Sequence, residues 1–120
     1  MEDKKIREEI VEEPIFEGGP TPSKVEELKE KHGDIYMTEF EDESVYIWKP
    51  LSRKEFKDIM KAEGADALFR EERVCEKCVV WPENYDFMAM TTGRAGVPTI
   101  LSEQIMDRSG FMAKSGPIAL

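Results

Sequence analysis

Proline and glycine cut residues 45–111 into pieces the length of a strand or a short helix, which limits the chain to a small mixed fold. Val45-Tyr46-Ile47-Trp48-Lys49-Pro50 reads as a strand, and Leu51-Ser52-Arg53-Lys54-Glu55-Phe56 as the start of a capped helix. Glu71-Glu72-Arg73-Val74-Cys75-Glu76-Lys77-Cys78-Val79 belongs to a helix that Pro82 stops. Ala95-Gly96-Val97-Pro98-Thr99 leads into a last helix closed by Ser109-Gly110-Phe111. Nothing between these signals has the spacing of a catalytic or metal constellation, so function has to be sought in binding surfaces.

The length, 120 residues, suits one domain with loose ends. Charged residues make up 36% of the chain and the formal net charge is −9, so phosphate backbones are repelled and nucleic acid is not an expected partner. Apolar runs are only a few residues long, far short of a membrane span. The N-terminus, beginning Met1-Glu2-Asp3-Lys4-Lys5, lacks the features of a signal peptide, which predicts a cytoplasmic protein with reduced cysteines.

The expected fold class is α+β: one small domain in which an N-terminal helix and a β-hairpin pack with about three further helices. Residues 1–22 read as a disordered acidic arm, because acidic clusters alternate with Pro14, Gly18, Gly19, Pro20 and Pro22. Residues 23–111 form the domain, and residues 112–120 a flexible tail. Ser23 and Glu26 fit a capping box for the first helix, with Val25, Leu28 and His32 on one face and Gly33 as its stop. Residues 35–40 and 45–49 predict the hairpin around the polar turn Glu41-Asp42-Glu43-Ser44. Ser52 with Glu55, and Leu51 with Phe56, combine a capping box with a hydrophobic staple; Phe56, Ile59 and Met60 then form an inward stripe. A third helix is expected from about Ala65 to Val80, with Leu68, Cys75, Cys78 and Val79 on its apolar side. Pro98 suits the first turn of the last helix, whose apolar face is Ile100, Leu101 and Ile105. Gly110 stands where a C′ glycine belongs, with Met106 and Phe111 placed to touch across it.

Cys75 and Cys78 form a C-x-x-C pair, but a structural zinc site needs four ligands and only His32 is available besides them. The pair also falls late in its helix, away from the N-terminal dipole that activates redox thiols. Core packing is therefore the expected role, with no metal and no cofactor. His32 is explained by the favourable interaction of a basic group with a helix C-terminus. The Gly93-Arg94-Ala95-Gly96 segment could cradle an anion, but lacks a P-loop lysine and reads as a loop. No residue is assigned a catalytic role. Met88, Met90, Met106 and Met112 cluster late in the chain, and methionine suits an adaptable binding surface. The expected partner-binding residues are Tyr46 and Trp48 on an exposed hairpin face, with Phe87, Met88, Met90 and Phe111; completion of the core is the competing role for the same side chains.

The segments Tyr46–Phe56, Glu71–Val79, Ala95–Thr99 and Ser109–Phe111 together resemble tail assembly chaperones of long-tailed bacteriophages of the myovirus and siphovirus type. The resemblance covers about residues 24–111. It departs from the family pattern at Lys49, where an arginine is expected before the Pro-Leu pair; lysine keeps the charge but not the planar fork. The resemblance implies a small non-catalytic protein of the host bacterial cytoplasm, made late in infection. It implies binding to the tape measure protein, or another phage tail protein, to keep it soluble during virion assembly. Homo-oligomerisation is a further option. A structural component of the tail, in the baseplate or connector, is the alternative, and a redox or metal enzyme built on Cys75 and Cys78 is a third class.

Overall fold

A computed structural model describes residues 12–83, 86–87, 94–111 and 113–120 of the chain. Its fold is α+β: the described residues form four helices and a three-stranded antiparallel sheet. By contacts the chain divides into two compact units that meet at Gly33 and Asp34. The first helix groups with the N-terminal segment, although the sequence places the start of one continuous domain at Ser23.

In the first unit, helix α1 spans Pro22–His32. Its cap is Thr21, whose hydroxyl accepts from the Lys24 N–H at 3.2 Å, and not Ser23 as the capping-box pattern predicts. Pro22 explains the shift, since its fixed φ and missing N–H suit the first helical position. Gly33 closes the helix at φ +81°, donating its N–H to the Lys29 carbonyl. Of the face expected to be apolar only Leu28 is buried. Residues 15–20, read from composition as part of a disordered arm, form a turn held by Ile15 N–H to Pro20 O and Gly19 N–H to Phe16 O, both 2.9 Å. Gly18 supplies the positive φ that this turn needs, and the Phe16 ring sits where a side chain on residue 19 would be.

The second unit begins with the hairpin. Strands β1 (Tyr36–Glu39) and β2 (Val45–Trp48) pair antiparallel with Tyr36 opposite Trp48 and Thr38 opposite Tyr46. The Asp42 carboxylate accepts from both the backbone N–H and the hydroxyl of Ser44, which fixes the turn and lowers the Asp42 pKa; Glu43 takes φ +69°. Helix α2 (Arg53–Met60), helix α3 (Ala67–Cys78), strand β3 (Val79–Trp81) and helix α4 (Val97–Arg108) follow.

The third strand departs from the expected helix through Val80. Val79 and Val80 are β-branched, Trp81 precedes proline, and the Cys78 carbonyl accepts the Lys49 N–H at 2.9 Å. Pairing with β2 thus takes over four residues before Pro82, whose bond to Trp81 is cis. Asp66, not residue 65, begins helix α3 by accepting from the Phe69 N–H. The core lies between the sheet and helices α2, α3 and α4. Leu101, Ile105, Cys75 and Cys78 are fully buried, and each large aliphatic among them contributes about 1.5–3 kcal/mol by leaving water. Leu68 and Ile100, both expected on apolar faces, are exposed, because the buried stripe of α3 is Val74, Cys75 and Cys78 and that of α4 is Leu101 and Ile105.

Candidate partner-binding surface

The six expected partner-binding residues separate into three groups. Tyr46, Trp48 and Phe87 are buried at 6%, 3% and 3% exposure, so the hairpin does not present an exposed aromatic face. The reason is register: Tyr36, Thr38, Tyr46 and Trp48 share the face that α4 covers. There the Trp48 indole N–H donates to the Thr38 hydroxyl at 2.9 Å, and that hydroxyl donates to Gln104 on α4. Met88 and Met90 lie outside the described residues. Phe111 is half exposed, and it leads to the surface that the fold does offer.

Phe111 stacks on Phe56 of α2, with ring centroids 5.0 Å apart. Its position follows from local chemistry. Gly110 adopts φ +91°, which turns the chain sharply off the end of α4. Ser109 holds that end: its hydroxyl donates to the Ile105 carbonyl and accepts the Leu51 N–H at 2.8 Å. The start of α2 is fixed by its capping box, in which the Ser52 hydroxyl accepts from Glu55 N–H (3.1 Å) and the Glu55 carboxylate accepts from Ser52 N–H (2.9 Å). Lys49 donates to both oxygens of the same carboxylate at 2.9 and 3.1 Å, so a lysine fills the place where the family pattern expects arginine. Burial opposes the charge on Glu55, but the Ser52 N–H and Lys49 outweigh it and hold the carboxyl below its ordinary 4.5.

Helix α2 is therefore fastened at its N-terminal end, and its outer face is mixed. Of the stripe Phe56, Ile59 and Met60, only Ile59 is fully buried; Phe56 is half buried and Met60 is 44% exposed. Winding at 3.6 residues per turn puts Arg53, Lys57 and Lys61 in a row beside Phe56 and Met60, with Lys54 next to them. All four cations are exposed. Arg53 lies over the Phe56 ring at 6.0 Å, and among the described residues Lys54, Lys57 and Lys61 form no ion pair. Sequence reasoning found Phe111 but missed Met60, because Met60 satisfies the inward stripe that its neighbours define.

No family model, curated protein or solved structure matches this chain.

The four segments that carry the resemblance nevertheless meet in space. Lys49 bonds Cys78, the Cys75 thiol donates to the Pro98 carbonyl at 3.4 Å, Leu51 bonds Ser109, and Phe56 stacks on Phe111. They are the joints between elements. The C-x-x-C pair belongs to these joints: both thiols are buried, and burial pushes each up from 9.0 to about 12. At neutral pH they are protonated and poorly nucleophilic. Among the described residues no group of three or more His, Cys, Asp or Glu is placed to hold a metal ion. No helix among the described residues is long and apolar enough to cross a membrane.

Two clefts lie elsewhere on the second unit. One, about 370 Å³, is lined by Phe40, Asp42, Arg94, Val97 and Ile100, and its Arg94 is paired with Asp42 at 3.9 Å. The other, about 340 Å³, runs between β1 and α4 past Met37, Thr38 and Gln104, where Arg108 stacks over Tyr36 at 5.1 Å. In each, the basic or amide group is already engaged, Arg94 with Asp42 in one and Gln104 with Thr38 in the other, which makes them weaker candidates than the open face of α2.

Proposed function

We propose that this chain is a non-catalytic tail assembly chaperone of a long-tailed bacteriophage, which binds the tape measure protein in the host cytoplasm and keeps it soluble while the tail is built. The observation that carries the reading is the surface of Phe56, Met60 and Phe111 beside the cations of α2. Apolar side chains held half exposed on a firmly anchored helix suit capture of an apolar partner segment, and methionine lets such a surface accept more than one shape. The resemblance supplies the client. Its four segments build the joints that place this surface, which accounts for their joint presence without a chemical site. The buried, protonated thiols speak against a redox enzyme built on the same helix.

The test is co-expression of the full chain with the tape measure protein. Soluble tape measure protein that co-purifies with the chain, and is lost to the pellet without it, is the expected result. Recovery of the chain from washed, purified virions, with tape measure solubility independent of it, would instead assign it to the tail structure.

A further inference from the structure

We infer that the face of helix α2 takes an acidic amphipathic helix, the client's Glu- or Asp-bearing flank lying along the cation row and its apolar side chains on Phe56, Met60 and Phe111. The inference rests on the chaperone reading and names the chemistry of the client segment.

Charge decides the class of partner. The chain as a whole carries −9, yet α2 and its cap present Arg53, Lys54, Lys57 and Lys61 on the solvent side. Of the two acids in α2, Glu55 is committed to Ser52 and Lys49, and Asp58 is exposed on the far side of the cation row from Phe56 and Met60. Lys54, Lys57 and Lys61 are left without ion pairs among the described residues, so a partner's carboxylates meet them with no internal contact to break. A basic segment would be repelled here, although the chain's net charge would attract it.

Spacing decides the partner's shape. Phe56 and Met60 are four residues apart on one helix and the cations repeat at the same interval along the adjoining line. An amphipathic helix with apolar residues at i and i+4, and acids one position to the side, presents the matching two rows. Phe111, placed by Gly110 and packed on Phe56, adds a third apolar side chain to that row.

The experiment uses the full chain with two probes, a labelled helical peptide of Leu and Glu in amphipathic order and its counterpart of Leu and Lys, read by fluorescence anisotropy. The Leu/Glu peptide should bind and the Leu/Lys peptide should not. Lys57→Glu with Lys61→Glu should weaken the former about tenfold or more, with an unchanged melting temperature because both positions are exposed. Met60→Ser should weaken it as well, which separates apolar contact from charge alone. Equal binding of both peptides, or indifference to the charge reversal, overturns the inference. In co-expression, a charge-reversed chain that still keeps the tape measure protein soluble also overturns it and leaves the chaperone reading standing. A wild-type chain that binds the Leu/Glu peptide on α2 but leaves the tape measure protein insoluble sinks the chaperone reading instead.

Discussion

Trp48 and Phe111 are both large aromatic residues at or just past the end of a secondary-structure element, and the fold treats them in opposite ways. Trp48 is 3% exposed, pairs across the sheet with Tyr36, and has its indole N–H satisfied by Thr38. Phe111 is 50% exposed and rests on one ring, Phe56. The difference lies in what covers them. The β2 face is roofed by α4, whereas Phe111 follows the glycine that takes the chain away from α4. Trp48 is thus a core residue because the sheet register turns it toward a helix, and Phe111 a surface residue because the backbone has left the last helix.

The largest expected effect sharpens that contrast. Ile105→Ala removes a fully buried side chain beneath the sheet and should destabilise the second unit by about 2–5 kcal/mol, measured by urea denaturation. Phe111→Ala should lower stability far less, since half of the ring already faces water. Equal losses would break the distinction between core and surface.

Where sequence reading succeeded, the signal was local. The capping box of Ser52 and Glu55 closes within four residues, and the hairpin turn is set by Asp42 and Ser44 two residues apart. Pro98 and Gly110 mark the two ends of α4 by their own backbone preferences. Where it failed, the cause was a distant contact. Val79–Trp81 continues the helical stripe of α3 and becomes a strand because Lys49 and β2 capture it. Tyr46 and Trp48 look like surface aromatics until α4, sixty residues on in order of magnitude, roofs them. Met60 fits an inward stripe, and only the fold shows that burial is centred on Ile59 and leaves Met60 exposed.

The two cysteines allow the next test. The Cys75 thiol donates to the Pro98 carbonyl, whereas no acceptor bonds the Cys78 thiol among the described residues. A serine at position 75 inherits a partner and one at 78 does not, so Cys78→Ser should be worse than Cys75→Ser by about 1 kcal/mol in the same denaturation assay. Both native thiols should resist a thiol reagent at neutral pH until the protein is unfolded. Because their folded pKa is raised, the stability they contribute is complete below pH 9 and is lost as pH rises from 9 toward 12. Rapid labelling of the folded chain would overturn their place in the core.

The joint beneath the proposed binding surface is expected to be softer. Ser52→Ala removes the α2 cap and should lower stability by about 1 kcal/mol, and it should also loosen Phe56 against Phe111. A melting temperature unchanged by this substitution would mean that packing alone holds α2.

The smallest effect concerns Glu55, which serves the cap and Lys49 together. Its folded pKa lies below 4.5, so the folded state binds its proton less readily than the unfolded chain does. The stability from this group is therefore complete above about pH 6 and falls as pH drops through 4.5 toward the folded value. Lys49 and Glu55 are partly exposed, which keeps their ion pair to less than about 1 kcal/mol. Glu55→Gln should flatten this acid limb of the stability curve while leaving the alkaline limb of the cysteines in place. Comparing thermal melts of the two proteins between pH 3 and pH 7, on the order of one unit per step, isolates the effect. An acid limb that survives the substitution unchanged would remove Glu55 from the joint and leave it to Ser52 and the Leu51–Ser109 hydrogen bond.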